Sequence, residues 1–144
     1  MISFWVAGLP VPQGSSRAFV IAGRAHITSD TGHRLQDWRQ AIASEARVAF
    51  SELLDGPVEV FAEFFLPRPA SRPKRVFWPD RKPDIDKLAR ASLDALTGVG
   101  FRDDAQVVRL VASKRYTAGL RQPGVQLSVG VARIPATDEL DAVS

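Results

Sequence analysis

The chain has 144 residues, of which 45% are hydrophobic and 24% are charged. This length and composition suit one domain with its own core, and they exclude a wholly disordered chain. The sequence contains no cysteine, which excludes disulfides and zinc sites built on thiolates. The N-terminus lacks the basic region of a signal peptide and no apolar stretch reaches membrane-spanning length, so we expect a cytoplasmic protein.

Positive charge is concentrated in one segment, although the formal net charge is only +3. Residues 66–90 contain eight basic and three acidic side chains, whereas residues 136–144 carry only acidic charge. We therefore expect one domain over residues 1–135, followed by a flexible acidic tail. The basic segment favours contact with phosphates, and a solvated basic loop is the alternative. Its basic residues are Arg68, Arg72, Lys74, Arg75, Arg81, Lys82, Lys87 and Arg90.

The first half of the chain is predicted to form a strand, a hairpin, a long helix and a further strand. Apolar residues alternate over residues 2–6, and two short apolar runs flank a glycine turn within residues 19–27. Capping residues at 29–31 precede apolar residues that recur every three or four positions from Leu35 to Leu53. Gly56-Pro57 then ends this helix, and residues 58–65 alternate as a strand.

The second half is predicted to form a long loop, a helix and two strands. Residues 67–83 contain five prolines and six basic residues without any apolar period, which is typical of a ligand-facing loop. The helix begins at Asp84 and ends before Gly98, and strands follow over residues 106–116 and 125–131. Two helices packed on a mixed or largely antiparallel sheet, an α/β (α+β) fold, is the simplest architecture. The predicted buried stripe of the second helix is Ile85, Leu88, Ala89, Ser92, Leu93 and Leu96.

Two pairs of aspartates flank this second helix, Asp84 with Asp86 and Asp103 with Asp104. Converging carboxylates provide the oxygen ligands that Mg²⁺ requires, and they leave metal-bound water free to attack a phosphodiester. The helix is about 18 Å long, so its two ends do not meet by themselves. A parallel or crossed arrangement, or a partner subunit, must bring the pairs together. Structural roles are the alternative, because aspartates also cap helices and form turns.

Two further side chains suit a nucleic-acid substrate. Arg90 lies four residues after Asp86 and so shares its helix face, where it could hold a phosphate while Asp86 holds metal. Trp78 lies between Arg75 and Arg81 and could stack on an unpaired base. Together with the cations of the segment, the expected DNA-binding residues are Arg68, Arg72, Lys74, Arg75, Trp78, Arg81, Lys82 and Lys87.

Three segments carry a family resemblance: Lys82-Pro83-Asp84-Ile85-Asp86-Lys87-Leu88, then Leu93-Asp94-Ala95-Leu96, then Asp103-Asp104-Ala105-Gln106-Val107-Val108. Their order and spacing resemble the RusA family of Holliday-junction resolvases, whose pattern is K/R-x-D-[LI]-D-N-L, D-A-L and D-D-A-Q-V. The resemblance is strongest from Lys82 to Lys114. It implies an α/β fold with a mixed sheet.

The resemblance also implies an activity and a set of site residues. Asp84, Asp86 and Asp104 would bind Mg²⁺ and act in catalysis, with Mn²⁺ as a substitute and Asp103 in support. The protein would be a homodimer that cuts four-way DNA junctions symmetrically in recombination and repair. Many family members are encoded by phages or prophages, which implies a bacterium or a phage-infected host cell.

The sequence departs from the family pattern at two positions. Lys87 stands where the pattern often has Asn, and Arg90 stands where a catalytic Lys is expected. Arginine keeps the charge but holds its proton, so either the role of this position is electrostatic or the activity is reduced. Two other functions stay open. One is a nuclease for flaps or other branched DNA, and the other is a non-catalytic DNA-binding module whose aspartates serve as caps and as ion-pair partners of Arg90 and Arg102.

Overall fold

The computed structural model describes residues 1–14, 18–21, 24–27, 29–119 and 121–136, and for residues 18–32 it describes the backbone alone. The chain alternates strands with two main helices, in the order predicted from the sequence. No helix among the described residues is long and apolar enough to cross a lipid bilayer. The elements are β1 (Ile2–Ala7), β2 (Ala18–Ile21), β3 (Arg24–Ile27), α1 (Ser29–Ala49), β4 (Val58–Leu66), α2 (Ile85–Leu96), a short 3₁₀ helix (Asp104–Gln106), β5 (Val107–Tyr116) and β6 (Gly124–Val131).

Four of the strands form one mixed sheet in the order β1-β6-β4-β5, and β2 and β3 form the predicted hairpin. Strand β4 pairs in parallel with β5, whereas β1 and β4 both pair antiparallel with β6. Both main helices contribute to the core against this sheet, through Trp38 and Ile42 of α1 and Leu88 and Leu96 of α2. The α+β architecture expected from the sequence is thereby confirmed.

The first helix ends four residues earlier than its apolar pattern predicted. The last helical residue is Ala49, and Leu54 lies in an isolated parallel bridge with Phe101. The Leu54 amide donates a hydrogen bond to the Gly100 carbonyl at 2.8 Å. The apolar residues after Ala49 therefore join the turn that follows α2 instead of continuing α1.

The buried face of α2 also differs in part from the prediction. Leu88, Ala89, Ser92 and Leu96 are buried as expected, and the Ser92 hydroxyl donates to the Leu88 carbonyl. Ile85 is 37% exposed and Leu93 is only partly buried. Ala91 and Ala95 occupy the buried face instead, because α2 packs against α1 as well as against the sheet and small side chains permit that close approach.

The segment from β4 through α2 to β5 forms a crossover between two parallel strands. A helix in such a crossover runs antiparallel to its strands, so the beginning of α2 lies near the end of β5. The ammonium group of Lys114, near the end of β5, donates to the carbonyls of Arg81 and Pro83, both at 2.9 Å. The end of α2, by contrast, leads directly into the beginning of β5. This direction decides where each aspartate pair lies.

Candidate active site

Asp84 and Asp86 lie at the beginning of α2 with accessible carboxylates. Asp84 has the extended backbone of an N-cap residue, with φ −71° and ψ 137°, but its side chain makes no capping hydrogen bond. Its Oδ2 lies 3.5 Å from the Lys87 ammonium nitrogen, and its side chain is 47% exposed. Asp86 is exposed and makes no hydrogen bond or ion pair with the described side chains. Neither side chain caps the helix, and Asp84 alone of the two has an ion-pair partner among the described residues.

Lys114 fixes the backbone immediately before this first pair. Its two hydrogen bonds reach from β5 to residues 81 and 83, so the last turn of the proline-rich loop is tied to the sheet. From the sequence alone, Lys114 is a further candidate for phosphate contact and not a residue that positions the loop. Its positioning role depends on the parallel pairing of β4 and β5, which no local pattern reveals.

Asp103 and Asp104 lie at the other end, in the turn that leads into β5. The Asp103 carboxylate accepts a hydrogen bond from the Ala105 amide at 2.9 Å and caps the short 3₁₀ helix. Asp104 is exposed, and its side chain makes no hydrogen bond or ion pair among the described residues. The two adjacent carboxylates therefore differ, since one stabilises the turn and the other is free to bind a ligand.

Gln106 holds this turn in place and was not singled out from the sequence. Its side-chain oxygen accepts from the amides of Arg102 and Asp103, at 2.9 and 3.0 Å. Its amide nitrogen donates to the carbonyls of Leu54 and Gly56, at 3.0 and 2.8 Å. The position of Gln106 two residues after Asp104, in the segment that carries the family resemblance, was the available signal.

The non-catalytic alternative predicts that Arg102 and Arg90 form ion pairs with the two aspartate pairs, and neither ion pair is present among the described residues. Arg102 forms its ion pair with Asp55, outside both pairs. Arg90 is exposed on α2, four residues after Asp86, and it forms no ion pair among the described side chains. The Arg90 guanidinium is therefore accessible to an anionic ligand on the same helix face as Asp86.

The two aspartate pairs do not converge within one chain. The part of β5 from Val107 to Lys114 covers about 23 Å in an extended strand, and the pairs lie near its opposite ends. Across residues 1–14, 33–119 and 121–136, no three acidic or histidine side chains are close enough to hold one metal ion. The sequence left open whether a parallel crossover would bring the two pairs together. The crossover that is observed does not by itself assemble a site of four carboxylates.

Two arginines of the proline-rich loop, residues 67–83, which we call the basic loop, point inward and hold its shape. Arg68 donates to the carbonyls of Pro73 and Val76, and its guanidinium lies 4.5 Å from the centre of the Tyr116 ring. The Arg72 side chain is only 7% exposed and donates to the Asp80 carboxylate at 2.6 Å. These contacts fold residues 68–80 into a defined loop.

Several other side chains of this loop point outward and form a surface with both charge and aromatic character. Phe77 and Trp78 are 53% and 60% exposed, and their rings meet edge to face at 4.7 Å. The Arg115 guanidinium lies 5.7 Å from the centre of the Phe77 ring. The surrounding cations are all exposed, and they are Lys74, Arg75, Arg81 and Lys82.

We expect Asp80→Asn to loosen this loop. The Arg72 guanidinium lowers the pKa of the Asp80 carboxyl below its ordinary value through a hydrogen bond and charge attraction. Because the folded-state pKa is lowered, the stabilisation is fully present at neutral pH and is lost as the pH falls below about 4. Limited trypsin digestion at neutral pH should cut the variant faster after Arg75 than wild type. Asp55→Asn is the matched control, and equal cutting of all three proteins would contradict the proposed role of the ion pair.

Comparison with known proteins identifies the family of this chain. The model of the family described as "Endodeoxyribonuclease RusA" matches residues 8–129, a span that contains both aspartate pairs and the whole basic loop. A protein of Bacillus subtilis (strain 168) named "Uncharacterized protein YqaN" is 29% identical over 139 residues, which cover 89% of this chain and 94% of that protein. The chain therefore belongs to the RusA family of endodeoxyribonucleases.

Proposed function

We propose that this protein is a Mg²⁺-dependent endodeoxyribonuclease that resolves four-way DNA junctions by symmetric cuts during recombination or repair. The observation that carries the proposal is the family match over residues 8–129 together with three exposed aspartates whose side chains make no capping hydrogen bond. These aspartates are Asp84, Asp86 and Asp104. Phosphodiester hydrolysis would employ all three as metal ligands, and the one ion pair among them, between Asp84 and Lys87, is half exposed and leaves the Asp84 carboxylate accessible.

The donor chemistry of these residues fits a hard divalent cation. Carboxylate oxygens are the protein ligands that Mg²⁺ and Mn²⁺ prefer, and both metals retain water molecules for reaction with a phosphate. Because the two pairs lie apart in one chain, Asp84 and Asp86 would hold the metal together with Asp104 of the partner subunit in a homodimer, and Asp103 would support it through the turn that it caps. A bound metal would supply Lewis-acid polarisation of the phosphate and a more acidic water molecule.

The cations near Asp86 would orient the substrate. Arg90 presents a guanidinium that can grip a phosphate with two parallel hydrogen bonds, and it would stabilise the charge that develops on the phosphoryl oxygens. Since arginine does not release its proton near neutral pH, Arg90 would act by charge alone. Lys87 lies 3.5 Å from Asp84 and would lower the repulsion between neighbouring carboxylates before metal binds.

The basic loop would contact the arms of the junction. Its exposed cations, Lys74, Arg75, Arg81 and Lys82, would bind phosphates without base preference. Trp78 would stack on a base that is unpaired at the branch point, a contact worth about 1–3 kcal/mol. Arg68 and Arg72 would act indirectly, because their inward hydrogen bonds hold the loop that presents these groups.

The first test is cleavage of labelled synthetic DNA in three forms: a four-way junction, a flap and a matched duplex. We expect paired, symmetric cuts in the junction with Mg²⁺ or Mn²⁺ and none with EDTA. Equal cutting of the flap and the junction would favour the general branched-DNA nuclease. Tight junction binding without cutting in either metal would favour the non-catalytic DNA-binding module and would overturn the proposal.

A further inference from the structure

A cavity of about 440 Å³ opens beside the first aspartate pair. Its walls come from residues 9–12, which follow β1, from both ends of the basic loop, and from the last residues of β4 and β5. Pro83 lines the cavity and directly precedes Asp84, so the cavity adjoins the candidate metal ligands at the beginning of α2. Cavities of about 300–1,000 Å³ are the usual binding places of small organic groups. The chemistry proposed for the aspartates makes no use of this space.

The walls of the cavity suit a flat ring. Six of the thirteen residues that line it are prolines, and Tyr116 adds an aromatic ring. Because proline has no backbone N–H, these six residues offer carbon surface and no backbone donors. Proline rings and aromatic rings pack closely on the faces of other rings. A ligand would therefore be held mainly through its faces.

The charges around the cavity are positive. Arg34, Arg81 and Lys82 line it with exposed side chains, and none of the described residues that line it is acidic. This combination fits a ligand that is flat and largely apolar in its centre and carries negative charge outside. A nucleotide within a DNA strand has this chemistry, since its base would fill the interior and its backbone phosphates would meet the cations.

The walls are fixed by contacts within the chain. The Gln13 amide donates to the Lys87 carbonyl at 2.9 Å, which ties the wall after β1 to α2. The Thr117 amide donates to the Leu66 carbonyl at 2.8 Å, and the two hydrogen bonds of Lys114 hold the end of the basic loop. The cavity is therefore formed before a ligand arrives, and binding would not have to order its walls, which favours affinity.

We propose that this cavity binds one nucleobase of the branched DNA after that base has left its pair at the branch point. The inference rests on the proposed function, because it assigns a base contact beside the proposed metal ligands. A base within a duplex must break its pair and its stacking to enter a pocket, and this costs least where the duplex is already interrupted. Trp78 does not line the cavity, so the stacking proposed for Trp78 is a separate contact.

Filling the cavity tests the proposal. Leu9 lines the cavity and is 55% exposed, so Leu9→Trp would place a large ring in the space without disturbing the core. Ile134→Trp is the matched control, because Ile134 is 85% exposed and does not line the cavity. The probes are synthetic four-way junctions, each of which lacks a single base at one position near the branch point. Gel-shift titrations in EDTA measure their affinities independently of cleavage.

We expect one abasic position to weaken binding by wild type and by Ile134→Trp about 5- to 150-fold, the loss of one stacked base. Leu9→Trp should bind the complete junction more weakly, and removal of that base should then have no further effect. Wild-type affinity that is the same at every abasic position would overturn the proposal. It would also be overturned if Leu9→Trp discriminated against the same position as strongly as wild type.

A second pair of variants tests the aromatic wall. Tyr116→Phe keeps the ring and should keep the discrimination against the abasic position, whereas Tyr116→Leu removes the ring and should reduce it. Equal discrimination by these two variants would contradict stacking on Tyr116. Failure of the base site in these titrations would leave Mg²⁺-dependent cleavage, and so the proposed function, standing. Position-specific loss of affinity in a protein that cuts no branched DNA would instead remove the proposed function and leave the base site standing.

Discussion

Asp86→Asn is expected to lower the rate of junction cleavage by about 10²- to 10³-fold, the range seen when one electrostatic group is removed from an active site. Asparagine has the same shape but lacks the anionic oxygen that a metal ion needs. The Asp86 side chain is exposed and takes no part in the described hydrogen bonds or ion pairs, so the fold and the binding of junctions in EDTA should be unchanged. Single-turnover cleavage of a labelled junction and a gel-shift titration measure the two quantities.

Asp94→Asn supplies the control for this variant, because it makes the same chemical change on the same helix, two turns further along. We expect it to cleave at close to the wild-type rate. If both variants lost activity equally, the loss would reflect the charge of α2 as a whole. If Asp86→Asn kept full activity, Asp86 would not be a metal ligand.

Phe101→Ala should give the largest loss of stability. Phe101 is fully buried, and its backbone bridges to both Leu54 and Thr97 at the turn between α2 and β5. Truncation of a buried phenylalanine costs about 3–5 kcal/mol, a large part of the 5–15 kcal/mol that is typical for a domain. Urea denaturation followed by tryptophan fluorescence measures the free energy of unfolding.

The consequence for the site depends on the position of Phe101, two residues before Asp103. Loss of its packing should loosen the turn that carries Asp104, so cleavage should fall even in the fraction that is folded. Val48→Ala is the control, because Val48 is 86% exposed and exposed substitutions usually change stability by less than about 0.5 kcal/mol. If Phe101→Ala had the same free energy of unfolding as wild type, this account of the core would be contradicted.

Local patterns in the sequence were sufficient to predict most of the elements. The apolar period of α2 and its termination before Gly98 match the observed helix Ile85–Leu96. The alternation of residues 2–6 and the valine-rich run before Tyr116 both correspond to strands of the sheet. Such predictions succeed because burial of one face imposes a period that each element carries in its own residues.

The pairing of strands and the contacts of the site required the structure. Periodicity does not reveal that β4 lies beside β5 in parallel, and this pairing is what separates Asp86 from Asp104. Sequence patterns also do not show that the Arg72 side chain is buried, because a buried arginine and a DNA-binding arginine look the same in a basic segment. Gln106 bonds to Leu54 and Gly56, some fifty positions earlier in the chain, and no local rule predicts so distant a partner.

The position of β6 in the sheet has a consequence for the synthesis of the chain. Strand β6 is the last of the described strands to be made, yet it lies between β1 and β4 and hydrogen-bonds to both. While the ribosome is still adding residues 124–131, β1 has no neighbour in the sheet and β4 is exposed along one side. Such unpaired strands are the sites at which incomplete chains associate wrongly. The sheet can therefore close only after residues 124–131 have been made, and the nascent protein would need protection until then.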